Sequence, residues 1–269
     1  MRPKKHLGQN FLINRNAGKR IVSLLDLKPG EKVVEIGGGR GDLTCHLLET
    51  GAVVTSVEID ADLASLLSER FAGAHHFHLI RGDILQADLE SMLPQGTNAK
   101  LVGNIPYNLT TPILELIIEH RSRFPQVILM MQREVAGRLT AEPGGKDFGS
   151  LTVFIQLFYA VERVFTLRPG SFFPKPKVDS AVVRLRRLHQ SLIVDEEYPR
   201  LRRLTSACFR WRRKTIVRIL RDEYQLEPAT AVRLVTSLSL DPNTRPEQMA
   251  VSQFVALMRE LRCVGQDSS

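Results

Sequence analysis

The chain has 269 residues, 43% hydrophobic and 25% charged, which suits one large domain, or a large and a small one, with sizeable cores. Its 37 Lys and Arg against 29 Asp and Glu leave a net charge of +8, which favours a polyanionic partner, either nucleic acid or an anionic membrane surface. No run approaches the roughly 18 apolar residues of a membrane span. The three scattered cysteines, Cys45, Cys208 and Cys263, form no CxxC pair and read as thiols of a reducing cytosol.

At the N-terminus, Met1 to His6 has no apolar run behind it, so no secretory signal is expected. A recognisable motif begins at His6, so a transit peptide is not expected either. From there short β-branched runs alternate with helical stretches. The expected strands are Lys32 to Gly37, Ala52 to Glu58, His76 to Arg81, Lys100 to Asn104 and Gln126 to Gln132. Near-continuous apolar strands separated by helices imply a parallel sheet covered on both faces. Two further runs, Tyr159 to Leu167 and Val178 to Arg186, are joined by a loop short enough for antiparallel pairing. The fold class is α/β, with the strand pattern of Rossmann-like methyltransferases. Strand signals stop near Leu188, so a boundary is expected between Leu188 and Asp195, with a small helical domain after it. Gly265 to Ser269 read as a frayed tail.

Chemistry concentrates at the ends of these strands. Glu35-Ile36-Gly37-Gly38-Gly39-Arg40-Gly41 closes the first strand and opens a helix, with glycines where a backbone must approach a ligand. A dinucleotide fingerprint from Gly37 would need glycine at 42, where Asp42 stands. Glu35 inside the strand fits instead the E/D-x-G-x-G-x-G loop of S-adenosylmethionine enzymes. Glu58 ends the second strand, where a carboxylate can accept from both ribose hydroxyls. Asp60 and Asp62 read as acids favoured by a helix N-terminus. Asp83, after the third strand, suits an acceptor for an adenine amine. Asn104-Ile105-Pro106-Tyr107 ends the fourth strand. An adenine N6 lone pair is delocalised into the ring, so two acceptors are needed to turn it toward an electrophile. The Asn104 side-chain oxygen and the Ile105 carbonyl, restricted by Pro106, can supply them, and Tyr107 can stack on the base. The plainer alternative is a strand followed by an Asn-Pro turn.

Residues 200 to 221 hold nine basic residues and no acidic one. Read as one helix, Leu204, Cys208, Trp211, Thr215 and Ile219 share a face. Arg203, Arg210, Lys214, Arg218 and Arg221 lie largely opposite, and Arg212 breaks the pattern. With no intervening acid, this reads as a phosphate-contacting face rather than a merely solvated one. Arg2, Lys4, Lys5, Arg15, Lys19 and Arg20 extend it. His75, His76 and His78 lack the carboxylates of a metal site, and no metal is expected.

These motifs resemble the ribosomal RNA adenine dimethyltransferases of the KsgA/RsmA type over nearly the whole chain. The similarity runs through His6-Leu7-Gly8-Gln9-Asn10-Phe11-Leu12, the loop Glu35 to Gly41, Glu58, Asp83 and Asn104 to Tyr107. It continues through Phe172-x-Pro174-x-Pro176-Lys177-Val178 and Phe209-Arg210-Trp211-Arg212-Arg213-Lys214-Thr215. Gln132-Arg133-Glu134 also matches, as a structural segment. One departure is Gly38, where many members have proline; a looser loop with binding retained is expected. The resemblance implies a Rossmann-like domain over 1–188 and a helical RNA- or ribosome-binding domain over 189–269. It implies S-adenosylmethionine held by Asn10, Leu12, Gly37, Gly39, Glu58, Asp83 and Asn104. It implies catalysis by Asn104, Ile105, Pro106 and Tyr107, with Phe172 sandwiching the target base against Tyr107. RNA would meet Arg203, Arg210, Arg213, Lys214, Arg218 and Arg221. The implied protein is a cytoplasmic monomer acting without metal on two adjacent adenosines near the 3′ end of 16S rRNA, in the small (30S) ribosomal subunit or its precursor. The alternatives are an Erm-type enzyme of large-subunit RNA and a mainly non-catalytic assembly factor.

Overall fold

The computed structural model describes residues 3–4, 7–94 and 96–266, with side chains as far as residue 262. Arg2, Lys5, His6, the Cys263 side chain and the tail from 267 lie outside the described residues. The chain opens with a two-residue strand, β1 (Phe11–Leu12), and helix α1 (Arg15–Ser23). Asn14 starts α1 as its N-cap, accepting from the Ala17 N–H at 3.0 Å. Strand and helix then alternate through β2 (Lys32–Ile36), α2 (Asp42–Leu48), β3 (Val53–Glu58), α3 (Ala61–Arg70), β4 (Phe77–Arg81), α4 (Leu89–Met92), β5 (Lys100–Asn104), α5 (Thr110–Glu119), β6 (Gln126–Gln132) and α6 (Arg133–Leu139). After α7 (Ser150–Gln156) come β7 (Tyr159–Leu167), β8 (Phe172–Phe173) and β9 (Ser180–Arg187).

Seven strands form one sheet in the order β4-β3-β2-β5-β6-β9-β7. Its first five are parallel, and β9 runs antiparallel to β6. The order steps outward in both directions from β2 and β5, so the crevice at their carboxyl ends is where such a sheet receives a ligand. The central strands are buried through their middles, as in β6, where Val127 to Met131 are all inaccessible or nearly so. The register fixes the site: Ile36 pairs with Gly103, and Asn104 with Met130. A second, two-stranded sheet has no counterpart in the sequence pattern: β1 pairs antiparallel with β8, Phe11 opposite Phe173 and Leu12 opposite Phe172. It brings the N-terminal arm back against the loop that precedes the last strand of the sheet.

Two compact units result, Met1–Ala136 with Ala160–Arg187, and Gly137–Tyr159 with Leu188–Ser269. The strand pattern implies one cut near Leu188; the second unit also takes Gly137–Tyr159. The cause is aromatic packing that the strand pattern does not reveal. Phe148 lies 6.2 Å from the Phe209 ring, and Phe154 and Phe158 meet Tyr198 edge-on. The rest of this unit is helical: α8 (Tyr198–Arg210), α9 (Ile216–Tyr224), α10 (Pro228–Ser237) and α11 (Val251–Gln266).

The single basic helix expected from Arg200 to Arg221 is two helices. Trp211 to Thr215 form a turn, closed by the Lys214 N–H on the Trp211 carbonyl at 2.7 Å. Thr215 then caps α9 with its hydroxyl oxygen. A capping threonine takes an extended backbone, which stops the 3.6-residue period from carrying across it.

Candidate active site

The glycine loop leaves β2 with three positive-φ residues, Gly37 (71°), Gly39 (57°) and Gly41 (82°). A side chain at these angles would be strained, so glycine is required. A Cβ built on Gly37 meets nothing within 4 Å, because the loop opens there on a cleft. Gly38 is the reverse. A Cβ there would collide with Ser56 Oγ and come within 2.8 Å of Leu67 Cδ1. The loop is therefore closely packed at Gly38, and a larger residue there requires the Ser56 and Leu67 side chains to shift.

Two buried acids lie under the loop. Glu35 is 2% exposed and accepts from Thr44 Oγ1 at 2.7 Å, with Ser56 beside it. Burial away from water pushes its carboxyl up to about 7. Glu58, at the end of β3, accepts from the Gly39 N–H at 2.8 Å and from the Asp60 N–H at 2.9 Å. Burial raises its carboxyl above the usual range, against those backbone bonds. A carboxylate has about four acceptor positions, so two backbone bonds leave capacity for a ligand's hydroxyls.

Asn104 ends β5 across the cleft. Its side-chain Nδ2 donates to the Asn10 carbonyl at 2.6 Å. Only the amide nitrogen can face a carbonyl at that distance, so the orientation is fixed and Oδ1 is the acceptor that remains. Tyr107 follows Pro106 in a short 3-10 turn, its hydroxyl 2.8 Å from Ser180 Oγ on β9. Burial pushes the phenol up. The N-terminal arm crosses above: a Cβ on Gly8 (φ 63°) would come within 3.3 Å of Pro106 Cβ.

One cleft is lined by Asn10, Gly37, Gly39, Glu58, Asn104, Ile105, Pro106 and Tyr107. Leu12 lines a neighbouring one, with Gly37, Gly39 and Asn104. Two expected residues line neither. Asp83 accepts from the Leu85 N–H at 3.0 Å, in the turn after β4. Phe172 is 1% exposed and packs in the core with Leu12 and Val182, so as placed it offers no ring face to a base. Alternation along β8 turns Phe172 inward and leaves Phe173 49% exposed.

The motifs do not disclose the clasp on the arm. Asp60, expected as a dipole acid, does cap α3, but it also accepts from Gln9 Nε2 at 2.7 Å and from Lys4 Nζ at 2.6 Å. Lys4 reaches Asp62 as well, at 2.7 Å. A glutamine in the arm and an aspartate after a strand-end glutamate carry no joint signal until the fold brings them together. Lys4, expected among the RNA-facing cations, is instead committed to these acids.

In the helical unit four of the basic residues have acidic partners from outside the 200–221 window. Lys214 and Arg218 both pair with Asp222, at 2.9 and 3.0 Å, and hold its carboxyl below the usual range. Arg210 reaches Glu223 at 3.7 Å and Arg212 reaches Glu247 at 3.9 Å. Arg203, Arg213 and Arg221 are exposed, and among the described residues they have no ion pair within 4 Å.

A Rossmann-like sheet with a glycine loop, a buried strand-end acid and an Asn-Ile-Pro-Tyr turn at one carboxyl edge is the arrangement of a methyltransferase. The family model described as ribosomal RNA adenine dimethylase matches residues 1–262. The chain belongs to that family and is an enzyme of it. It is 38% identical to "Ribosomal RNA small subunit methyltransferase A" of Geobacter metallireducens, with 98% of each chain covered. Among solved structures it is similar to a dimethyladenosine transferase from Plasmodium falciparum (26% identity, TM-score 0.83, 95% of this chain and 98% of that one). It is also similar to the 23S rRNA methyltransferase ErmE (27% identity, TM-score 0.73, 94% and 100%).

Proposed function

We propose that the chain transfers methyl groups from S-adenosylmethionine to N6 of two adjacent adenosines near the 3′ end of 16S rRNA in the small ribosomal subunit or its precursor. It acts as a monomer in the cytoplasm. The observation that carries the chemistry is the Asn104 amide, pinned through nitrogen so that its oxygen stays an acceptor beside the glycine loop. The choice of RNA is supported by near-full-length similarity to a small-subunit enzyme at 38%, against 27% to ErmE. Among the described residues no helix is long and apolar enough to cross a membrane.

The residues fit the cofactor. The open space over Gly37 admits its backbone-bound end, Glu58 takes the ribose hydroxyls, and Asn10, Leu12, Gly39 and Asn104 close around it. Asp83 holds the Leu85 N–H on Oδ1 and takes the adenine amine on its remaining acceptor capacity. When bound, the cofactor supplies an electrophilic methyl on a sulfonium, so the protein contributes positioning and electrostatics. Asn104 Oδ1 and the Ile105 carbonyl accept from the target amine and turn its lone pair out of conjugation. Tyr107, anchored through its hydroxyl to Ser180, gives the flipped base a stacking face. Phe172 holds Leu12 from the core, and Arg203, Arg213 and Arg221 meet RNA phosphates with the rest of the basic set.

The test is transfer of labelled methyl to purified small and large ribosomal subunits, with the product mapped by mass spectrometry. N6,N6-dimethyladenosine at two adjacent positions near the 3′ end of 16S rRNA is expected. Label in large-subunit RNA alone overturns the assignment.

A further inference from the structure

Beside the methyl-transfer cleft lies a second, larger groove of about 490 Å³, walled by α1 and α2. The two clefts that hold the site residues measure about 40 and 80 Å³. The larger volume falls within the ~300–1,000 Å³ of sites that take whole small molecules, so the groove can hold a nucleotide unit rather than only an ion. Its walls carry Arg15, Lys19, Arg40 and Arg70 against the carboxylates Asp42 and Glu49. Glu49 is already engaged by His46 at 3.0 Å and by the field of Lys19. Arg70 donates to the Arg40 carbonyl and touches Cys45 Sγ at 3.0 Å. Arg15 and Lys19 are one helical turn apart on the exposed face of α1, and both reach the same groove.

Aromatic rings adjoin the groove through Arg40, which lines it. Phe11 and Phe173 are cross-strand partners in the small sheet, and the Arg40 guanidinium lies over both rings, at 4.6 and 5.7 Å. Ile13, 51% exposed, adds an apolar surface in the groove. Aromatic and guanidinium planes beside the exposed cations Arg15 and Lys19 are the chemistry that grips an unpaired nucleic-acid strand, by stacking bases and neutralising phosphates. Leu12, Arg40 and Asp42 line both this groove and the cleft containing Asn104. That cleft in turn shares Gly37, Gly39 and Asn104 with the one that holds Tyr107, so it joins the groove to the target position.

We propose that this groove binds the sugar–phosphate backbone of the single-stranded RNA segment adjoining the target adenosine, with Arg15 and Lys19 contacting its phosphates. The proposal rests on the RNA-methylating reading above and adds where the strand lies. It places substrate contacts on the methyltransferase unit itself, independent of the basic helices of the second unit.

The test uses the full chain and the variants Arg15→Gln/Lys19→Gln and Arg15→Glu/Lys19→Glu, checked for unchanged thermal midpoint and S-adenosylmethionine affinity. Binding of a short single-stranded RNA oligonucleotide is measured against salt, beside methyl transfer to small subunits. The neutral pair should flatten the slope of log affinity against log salt by about 1.4, at about 0.7 for each single-strand phosphate contact. It should raise KM for RNA and leave kcat unchanged, and the reversed pair should do so more strongly. An unchanged slope and KM, with wild-type transfer to small subunits intact, overturns the groove and leaves the functional assignment in place. A flattened slope with transfer directed to large-subunit RNA supports the groove and overturns the small-subunit assignment. Equal loss of affinity for a duplex RNA of the same length overturns the single-strand claim.

Discussion

The carboxyl edge of the sheet and the basic turn between α8 and α9 both carry motif residues that stand out in the sequence, yet the fold treats them differently. At the sheet edge, motifs far apart in sequence become neighbours in one cleft: the glycine loop, Asn104 and Tyr107 converge because parallel strands all end at the same side. At the basic turn, the cations acquire partners that the local window does not contain. Asp222 takes Lys214 and Arg218, and Glu223 takes Arg210. Backbone-directed chemistry is local and reads well from a motif. Charge is a sum over space, and a run of like charge says little until its surroundings are known.

The largest effect expected at the sheet edge comes from Asn104. Its amide is held by one backbone carbonyl, so Asn104→Ala removes a preorganised acceptor without uncovering a buried charge. Turnover should fall by roughly 10²–10³, the usual cost of losing one such group. RNA affinity should stay near wild type, and cofactor affinity, in which Asn104 is one contact among several, should fall far less than turnover. Single-turnover methyl transfer with both affinities measured alongside checks this; an undiminished rate would remove Asn104 from catalysis.

Beneath the same edge, Glu35 provides a pH test. Its folded-state value of about 7 lies above the ordinary glutamate value of 4.5, so the folded protein holds a proton that the unfolded chain releases. The stability contributed by the protonated form is complete below about 4.5 and is lost as pH rises through about 7. The loss is on the order of 3 kcal/mol at about 1.4 kcal/mol per unit. Glu35→Gln keeps the shape and cannot ionise, so it should flatten this fall. Denaturant midpoints of both proteins at pH 5 and pH 8 report it. A wild type equally stable at both values would show that the carboxylate is accommodated charged.

Most of the parallel sheet was legible because its strands are short apolar runs with β-branched residues, bounded by turns. What could not be read has long-range causes. The pairing of Phe11 with Phe173 joins residues at opposite ends of the first unit, and it decides that Phe172, not Phe173, is buried. A motif gives the residue type but not which way a two-residue strand faces. The Asp60–Gln9 clasp and the transfer of Gly137–Tyr159 to the second unit are of the same kind. Gly38 shows the limit from the other side: its departure from the common proline looks like a loosening in sequence, and is a close fit against Ser56 and Leu67 in space.

The smallest effect divides the basic set itself. If pairing decides which cations remain available, Arg213 and Arg221 should matter more to RNA than Lys214 and Arg218, which share Asp222. Surface pairs of this kind contribute only about 0–1 kcal/mol to folding, so neither pair of substitutions should unfold the protein. Replacing Arg213 and Arg221 with Gln should flatten the salt dependence of RNA affinity by about 0.7–0.9 for each phosphate no longer neutralised. Replacing Lys214 and Arg218 with Gln releases the Asp222 carboxylate near the same surface. That change should therefore act partly through repulsion and weaken binding at low salt, with the difference vanishing as salt screens the new charge. Adding Asp222→Asn to the second pair should restore part of the low-salt affinity. Titrations of RNA affinity from low to moderate salt, run on all three proteins, separate the cases. If Lys214 and Arg218 cost as much slope as Arg213 and Arg221, and Asp222→Asn restores nothing, the carboxylate yields its partners to phosphate and pairing does not select the contacts.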